Sequence, residues 1–395
     1  MRPPRILYHH RTRAFDGQAV HIQEMLRAFG EEGMEVEEVA LVRQGLTAES
    51  REPGAGASAR RRGFWQKLRL PRVAVEVAEH LYSRKGQDML LRAGRRSSHD
   101  LIYERHALNC RAGLWASKAL GLPFFLEVNS PMVAEMEALG LLCFPKWARR
   151  VESEILSAAD RVFVVSEVLG RMLVPLGARP ECIVVTPNGA DLPAFEQAHR
   201  QHAERCASMR TPSVLGFIGF PRPWHRLDLA LHAMAELRQD WPDLELRILG
   251  EGPAIPELQS LADRLGIAEA LVVLGACPRE ALPERVGALD VALIPAMNAY
   301  ASPLKLYDSL AAGVPTLAPD QPNLRESVSD GETAFLFEPG VQASFTGKLR
   351  EILEDSERSL RIGEAGRESL IREDRTWESN ARRVRHEWEK LGGSS

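Results

Sequence analysis

The chain has 395 residues, 45% of them hydrophobic and 26% charged, with a net charge of −4. That composition excludes a mostly disordered or collagen-like chain and predicts two or three globular domains. The slightly acidic balance also argues against a general nucleic-acid binder, so no nucleic-acid partner is expected.

In chain order, residues 6–8 read as a strand. Ala19, Ile22, Leu26 and Phe29 follow at helical spacing, and Gly30 and Gly33 can stop that helix. The β-branched run at 36–42 is the next strand. Residues 101–103, 124–128, 161–165 and 182–186 are further strands with helical intervals between them. Residues 196–212 are polar and read as a helical tail and linker. The alternation then restarts at 214–218 and continues with a helix to about residue 240. Strands follow at 244–249, 271–274, 291–294, 315–317 and 334–337. Strands alternating with helices predict parallel sheets, so the fold class is α/β with two Rossmann-like, doubly wound domains. Their expected bounds are 1–200 and 210–372. Ligands of such sheets sit at the carboxyl ends of the strands, and the chemistry is sought in the loops there.

No run approaches the ~18 apolar residues of a membrane span. MRPPRILYHH also lacks the longer apolar stretch of a secretory signal. The cysteines (Cys110, Cys143, Cys182, Cys206, Cys277) are widely spaced without a CxxC pair. Reduced thiols in a cytoplasmic protein are therefore expected, with no metal site.

The segment YASPLKLYDSLAAG at 300–313 is the most informative. Ser302 suits a helix N-cap and Pro303 the first helical position. The unpaired N–H groups of such a helix start attract phosphate. Lys305 in the first turn is unfavourable against the helix dipole unless an anion offsets it. Asp308, three residues on, lies on the same face and can accept ribose hydroxyls. After residues 214–218 comes GFPRPWHR. Gly219 allows close backbone approach, and Arg222, His225 and Arg226 can add positive charge to a diphosphate. Gly250, Glu251 and Gly252 form a tight turn after 244–249. Neither a GxGxxG nor a GxxxxGK[ST] motif is present, which argues against nicotinamide and P-loop chemistry. No Asp-x-Asp pair occurs to hold a divalent metal. In the first half, Asp16 and Gly17 precede a helix. Arg105 and His106 follow the strand at 101–103, Glu127 and Asn129 stand at the end of 124–128, and Asn188 follows the sixth strand. Each alone suits a cap or turn, but all share the carboxyl ends of strands.

These loops, in this order, resemble glycosyltransferases of the GT-B fold, specifically the retaining family four (group 1). DGQAVHIQEML, LEVNSP, AADRVFVVSE, TPNGADL, GFPRPWHRLDLALHA, RILGEGP, VVLGAC and SPLKLYDSLAAG carry the resemblance over nearly the whole chain. It implies two domains facing across a cleft, with a helix at 375–391 packing back on the first. It implies transfer of a hexose from a nucleoside-diphosphate sugar, UDP first and GDP second, to a hydroxyl acceptor. Retention is expected, with no metal or other cofactor. Carried over by position, Gly17, Gly219, His225, Arg226, Gly250, Glu251, Gly252, Ala276, Tyr300, Ala301, Ser302, Pro303, Leu304 and Asp308 contact the donor. Asp16, Arg105, Glu127 and Asn188 contact the acceptor. His106, Asn129, Arg222 and Lys305 act at the reacting centre, chiefly by electrostatic stabilisation. The acceptor is a sugar, a lipid-linked molecule or a small molecule of glycan, polysaccharide or glycoconjugate synthesis.

This chain departs from the family pattern at Tyr300, where many members carry Glu, and at Asn129, where many carry His. His225 and Arg226 replace a usual Lys-Gly pair. Two rivals follow: a non-catalytic sugar-nucleotide-binding partner subunit, and a sugar-nucleotide epimerase of the same fold. Residues 51–99 carry a net charge of +8. Within them, 60–72 (RRRGFWQKLRLPR) interleaves Phe64, Trp65, Leu68 and Leu70 with six Arg/Lys. That pattern suits peripheral contact with an anionic membrane surface, at its inner face for a cytoplasmic chain.

Overall fold

A computed structural model of the protein describes residues 2–13, 17–44, 71–207 and 212–392. Among these, the chain builds two six-stranded sheets in which every strand pair is parallel. The first comprises β1 (Arg5–His10), β2 (Glu35–Ala40), β3 (Leu101–Arg105), β4 (Phe124–Val128), β5 (Arg161–Val164) and β6 (Ile183–Val185). Its order is β2-β1-β3-β4-β5-β6. β3 and β4 are buried at every position, as strands covered by helices on both faces must be. That is why they read as short apolar runs. The rings of Tyr8, Phe29 and Phe163 pack around Tyr103 with centroids 5.4–5.5 Å away.

The second sheet comprises β7 (Val214–Ile218), β8 (Glu245–Leu249), β9 (Leu271–Val273), β10 (Val291–Leu293), β11 (Thr316–Pro319) and β12 (Phe335–Phe337). Its order is β12-β11-β10-β7-β8-β9. Its core gathers Leu215, Phe217, Met234, Ile248, Phe335 and Phe345. In each sheet the direction of strand addition reverses once, between β1 and β3 and between β7 and β10. Loops leaving such a pair diverge to opposite faces and open a crevice where ligands bind.

By contacts the chain divides into Met1–Thr186 with Asn380–Ser395, and Pro187–Ser379. This differs from the expected break near 200–210. Helix Leu192–Ala207, read from sequence as a tail and linker, packs with the second unit. Phe195, Ala198 and His202 form a buried stripe on an otherwise polar helix. Glu196 accepts from Arg367 at 2.6 Å, and His202 Nδ1 donates to the Gly287 carbonyl at 3.2 Å. The C-terminal helix, Trp377–Lys390, changes group at Asn380. In the first unit, its Glu387 accepts from Arg161 at 2.5 Å and its Arg383 donates to the Val185 carbonyl at 2.7 Å. Helix Arg72–Arg96 has no clear apolar stripe, because Glu76, His80 and Ser83 occupy its buried side. No helix among the described residues is long and apolar enough to cross a membrane.

Candidate functional site

In the second unit, the loop after β10 leads into helix Leu304–Ala311. Pro303 takes the N-cap position, at φ −81 and ψ 126, and no side chain caps the helix. This corrects the expected Ser302 cap. The extended ψ of Pro303 delays the helix by one residue, and the Ser302 hydroxyl turns elsewhere. It accepts the Asn188 N–H at 3.0 Å and bonds the Tyr307 hydroxyl at 2.8 Å. Asn188 also donates its side-chain amide to the Ser302 carbonyl at 2.5 Å. Asn188, expected beside an acceptor, is thus committed to the loop that starts this helix. In the first turn, the Leu306 N–H donates to the Pro303 carbonyl at 3.0 Å, while those of Leu304 and Lys305 have neither an intrahelical acceptor nor a side-chain cap, which leaves them available to an anion.

Lys305 in that first turn is partly buried, with Nζ 3.9 Å from the Phe217 ring centroid. Burial pushes its ammonium down to about 7. His225 lies nearby, pushed down to about 3 by burial, Lys305 and Arg222. Its Nδ1 accepts the Arg222 N–H at 3.0 Å, so the neutral ring carries its proton on Nε2. The Arg222 guanidinium is exposed and lies over the Phe220 ring. Arg226 does not join this group. It adopts the left-handed φ of +53, and its exposed guanidinium pairs with Asp228 at 2.9 Å.

The loops after β7 and β8 touch through their backbones. A Cβ on Gly250, at φ +157, would lie 1.9 Å from the Gly219 carbonyl oxygen. One on Gly252 would lie 2.4 Å from that of Pro221. Only glycine permits this approach. Glu251 and Ala276 are exposed on the loops after β8 and β9. Asp308 is buried, and Arg279 Nη1 donates to both its oxygens, at 3.0 and 3.1 Å. Burial pushes the Asp308 carboxyl up, and Arg279 opposes that. Sequence reasoning missed Arg279, since nothing but its place after β9 distinguishes it. Tyr300 accepts from the Asn298 amide at 2.8 Å, and Asn323 holds the Ala301 carbonyl at 2.6 Å. Phe220 and Trp224 were also missed. Both are exposed, and the Trp224 ring lies 3.8 Å from that of His225.

In the first unit, Arg105, Glu127 and Asn129 come together at the ends of β3 and β4. Glu127 accepts from Arg105, from Asn129 at 2.6 Å and from the Tyr103 hydroxyl at 3.1 Å. Arg105 also donates to His21 Nδ1 at 2.9 Å. Burial works against the Glu127 charge, but His21, Arg105, Asn129 and Tyr103 outweigh it and hold the carboxyl below its usual range. His21 itself is pushed down to about 4 by burial and Arg105. These groups spend their hydrogen bonds on one another, so the network positions the edge of the sheet. His106 stands one residue past β3, buried, with Nδ1 unpartnered. Burial and Arg11 push it down to about 4, so its ring is neutral. Gly17 begins the helix Gly17–Glu31. Asp16 lies outside the described residues, as does 60–72 except for Pro71 and Arg72.

Among the described residues, one group could reach a common metal ion: His9, Glu104 and Cys110. Both imidazole nitrogens of His9 are already engaged, with Glu104 at 2.5 Å and the Tyr82 hydroxyl at 3.1 Å. Glu104 also accepts the Gly113 N–H at 2.7 Å. Burial and Glu104 push the Cys110 thiol up, away from the thiolate a metal requires. The cluster is a closed hydrogen-bonded knot.

Two family models match the chain: "Glycosyl transferase 4-like domain" over residues 16–189 and "Glycosyl transferases group 1" over residues 202–369. A D-inositol 3-phosphate glycosyltransferase of Streptomyces scabiei is 30% identical over 289 residues, 69% of this chain and 64% of that relative's length. A glycosyltransferase of Rickettsia africae shares the fold at a TM-score of 0.74 and 13% identity, covering all of both chains. Anabaena HepE, solved in complex with UDP, does so at 0.67 and 16% identity, covering 99% of this chain and 100% of that one.

Proposed function

The chain belongs to the group 1 glycosyltransferases, and from that premise we propose that it transfers a hexose from a nucleoside-diphosphate sugar to a hydroxyl acceptor, with retention. The observation that carries this reading is the uncapped start of helix Leu304–Ala311 at the β7/β10 switch point, with Lys305 in its first turn. The helix N–H groups and Lys305 receive the diphosphate. Arg222 and the Nε2–H of His225 stabilise it as it departs. Asp308, one turn along, takes the ribose hydroxyls in exchange for one of its Arg279 contacts. Lys305, Arg222 and the helix dipole supply the positive charge that a metal would otherwise bring, so no cofactor is invoked. UDP is the first nucleotide to test, a choice supported by the UDP-bound structure of the same fold. The relatives' names make inositol phosphate an acceptor to try.

The test is thermal unfolding with UDP, GDP, ADP, CMP and NAD. A ligand at ~100 times its dissociation constant stabilises by about 2.7 kcal/mol. Stabilisation by one nucleoside diphosphate, lost in Asp308→Ala, is the expected result. No response to any diphosphate, or a response to NAD alone, would overturn the reading. Peripheral contact of the cytoplasmic protein with anionic membrane is a second proposal, supported by exposed Val73, Val77 and Leu81 on one face of the helix that follows the basic run. Flotation with anionic but not neutral vesicles, weakened by salt, is its check.

A further inference from the structure

The amino edge of the second sheet, opposite the loops that carry the donor reading, holds a cavity of 340 Å³. That volume falls at the low end of small-ligand pockets, about 300–1,000 Å³. Pro212, Val291 and Pro315 line it from the starts of β7, β10 and β11. Ile352 and Leu360 line it from helices Gln342–Glu354 and Ser356–Arg372. Cys206, near the end of helix Leu192–Ala207, adds a thiol to this apolar wall.

The thiol has a base beside it. His202 lies four residues earlier, a spacing that stacks the two side chains on one helix face. Cys206 Sγ is 3.7 Å from His202 Nε2. His202 Nδ1 faces the Gly287 carbonyl at 3.2 Å. A carbonyl only accepts, so Nδ1 carries the proton and Nε2 turns its lone pair to the thiol. Arg205, 3.3 Å from Nδ1, donates to the Ala288 and Leu289 carbonyls and pairs with Asp290. A thiol, a base and a third group that orients the base make an activated nucleophile. Burial pushes His202 down to about 4, helped by Arg205 and His199 on its own helix and opposed by the Gly287 carbonyl and by Asp290 just ahead of β10. Helix Leu282–Gly287, which brings that carbonyl, packs on the His202 helix. At neutral pH the pair therefore rests as thiol and free base, and the proton moves only as a new bond forms. Cys110 also stands near an imidazole, but both nitrogens of His9 are engaged there.

We propose that Cys206 is an acylation site, whose thiol takes a short or medium acyl chain from a thioester and lodges that chain in the cavity. The site does not depend on the glycosyltransferase reading. The thiol proton passes to His202 Nε2 as the Cys206 sulfur attacks the thioester carbonyl. The donor's carbon–sulfur bond breaks, and its departing sulfur takes the proton back from Nε2. The products are S-acyl Cys206 and a free thiol, so no oxidant or reductant enters. The walls select the class. Pro212, Val291, Pro315, Ile352 and Leu360 offer hydrocarbon, and each methylene buried against them favours the longer chain. The ionisable groups on the wall, Asp290 and Glu357, are both acidic, which disfavours an anionic occupant. Helix Ser356–Arg372 begins at the same cavity, with its Asp355 cap accepting the Arg358 N–H at 2.9 Å. The N–H groups of Ser356 and Glu357 precede any intrahelical acceptor and can receive the oxygen charge that develops during attack.

The probes are the acetyl and octanoyl thioesters of N-acetylcysteamine, with hydroxyethyl disulfide beside them, read by intact mass and peptide mapping on the full chain. Wild type is expected to gain one acyl group at Cys206, octanoyl at least about tenfold faster than acetyl. Its rate should change by less than about threefold between about pH 5.5 and 7.5, because the base is free throughout. His202→Gln should be slower by roughly a hundredfold near about pH 6, and its rate should climb about tenfold per pH unit, as an unassisted thiolate's does. Leu360→Trp fills the cavity from a half-buried position. It should slow octanoyl transfer by about tenfold and leave acetyl transfer nearly unchanged. Melting temperatures confirm that the variants fold. Acyl groups on residues other than Cys206, a wild-type rate that climbs tenfold per pH unit, acetyl transfer as fast as octanoyl, or reaction with the disulfide alone would overturn the proposal.

Discussion

Diphosphate binding should draw a proton from solution, and Lys305 is the reason. Burial holds its ammonium down at about 7, so about half the free molecules carry the charge at neutral pH. A diphosphate against the same helix start would raise that pKa by roughly two units. The resulting uptake is about 0.1 proton at pH 6, about 0.5 at pH 7 and about 0.8 at pH 8. His225, at about 3, would change only in more acidic solution, so pH 8 isolates the lysine. UDP-glucose is the ligand of choice, because its diphosphate is esterified at both ends and has no proton to lose near neutrality. Calorimetry in buffers of different ionisation enthalpy measures the uptake as the slope of observed heat against buffer heat. Lys305→Arg keeps the charge at every pH in this range. It should bind without the uptake, and with an affinity that no longer falls between pH 7 and 9. Zero uptake at pH 8, or the same uptake in Lys305→Arg, would refute the assignment of the diphosphate to this lysine.

Arg105→Met leaves Glu127 buried without its cation and should destabilise the protein by about 3–5 kcal/mol, read as a fall in denaturant midpoint. Gly250→Ala forces a methyl to 1.9 Å from the Gly219 carbonyl. Nucleotide-dependent stabilisation should be lost, while circular dichroism shows a retained fold. Burial holds His21, His106 and His202 at about 4 and His225 at about 3. The unfolded chain takes up their protons below about 6.5, while the folded chain resists. The histidine contribution should be flat above that pH and fall toward pH 4, by at most about 1.4 kcal/mol per unit for each histidine, whereas Lys305, held at about 7 in the folded protein, makes stability rise with pH above about 7. A melting temperature that held constant down to pH 4.5 would contradict those positions.

The strands were legible because parallel strands covered on both faces must be short apolar runs, and β3, β4 and β7 are such runs. The glycines after β7 and β8 were legible because close backbone approach leaves no alternative residue. Helix Arg72–Arg96 was not, because a helix that buries Glu76, His80 and Ser83 presents no apolar stripe. The Ser302 cap was misread because proline at the next position suits two slots of a helix start, and only backbone torsion decides between them. Ion pairs were the least legible. Arg279 meets Asp308 across 29 positions and Arg11 meets Glu79 across 68. No local pattern in the sequence announces a partner that distant, yet those pairs set which charges remain free for a ligand.

The grouping of residues from Asn380 with the first unit has a bearing on synthesis. Arg161 waits for Glu387, 226 positions later, and the Val185 carbonyl waits for Arg383. Glu32 likewise pairs with Arg382. As the chain leaves the ribosome, the first sheet can form early, but it stays unfinished while all of the second unit is made. A nascent chain stalled before residue 380 would carry a nearly finished second unit and an open first one. The order in which the units are completed is the reverse of the order in which they are begun.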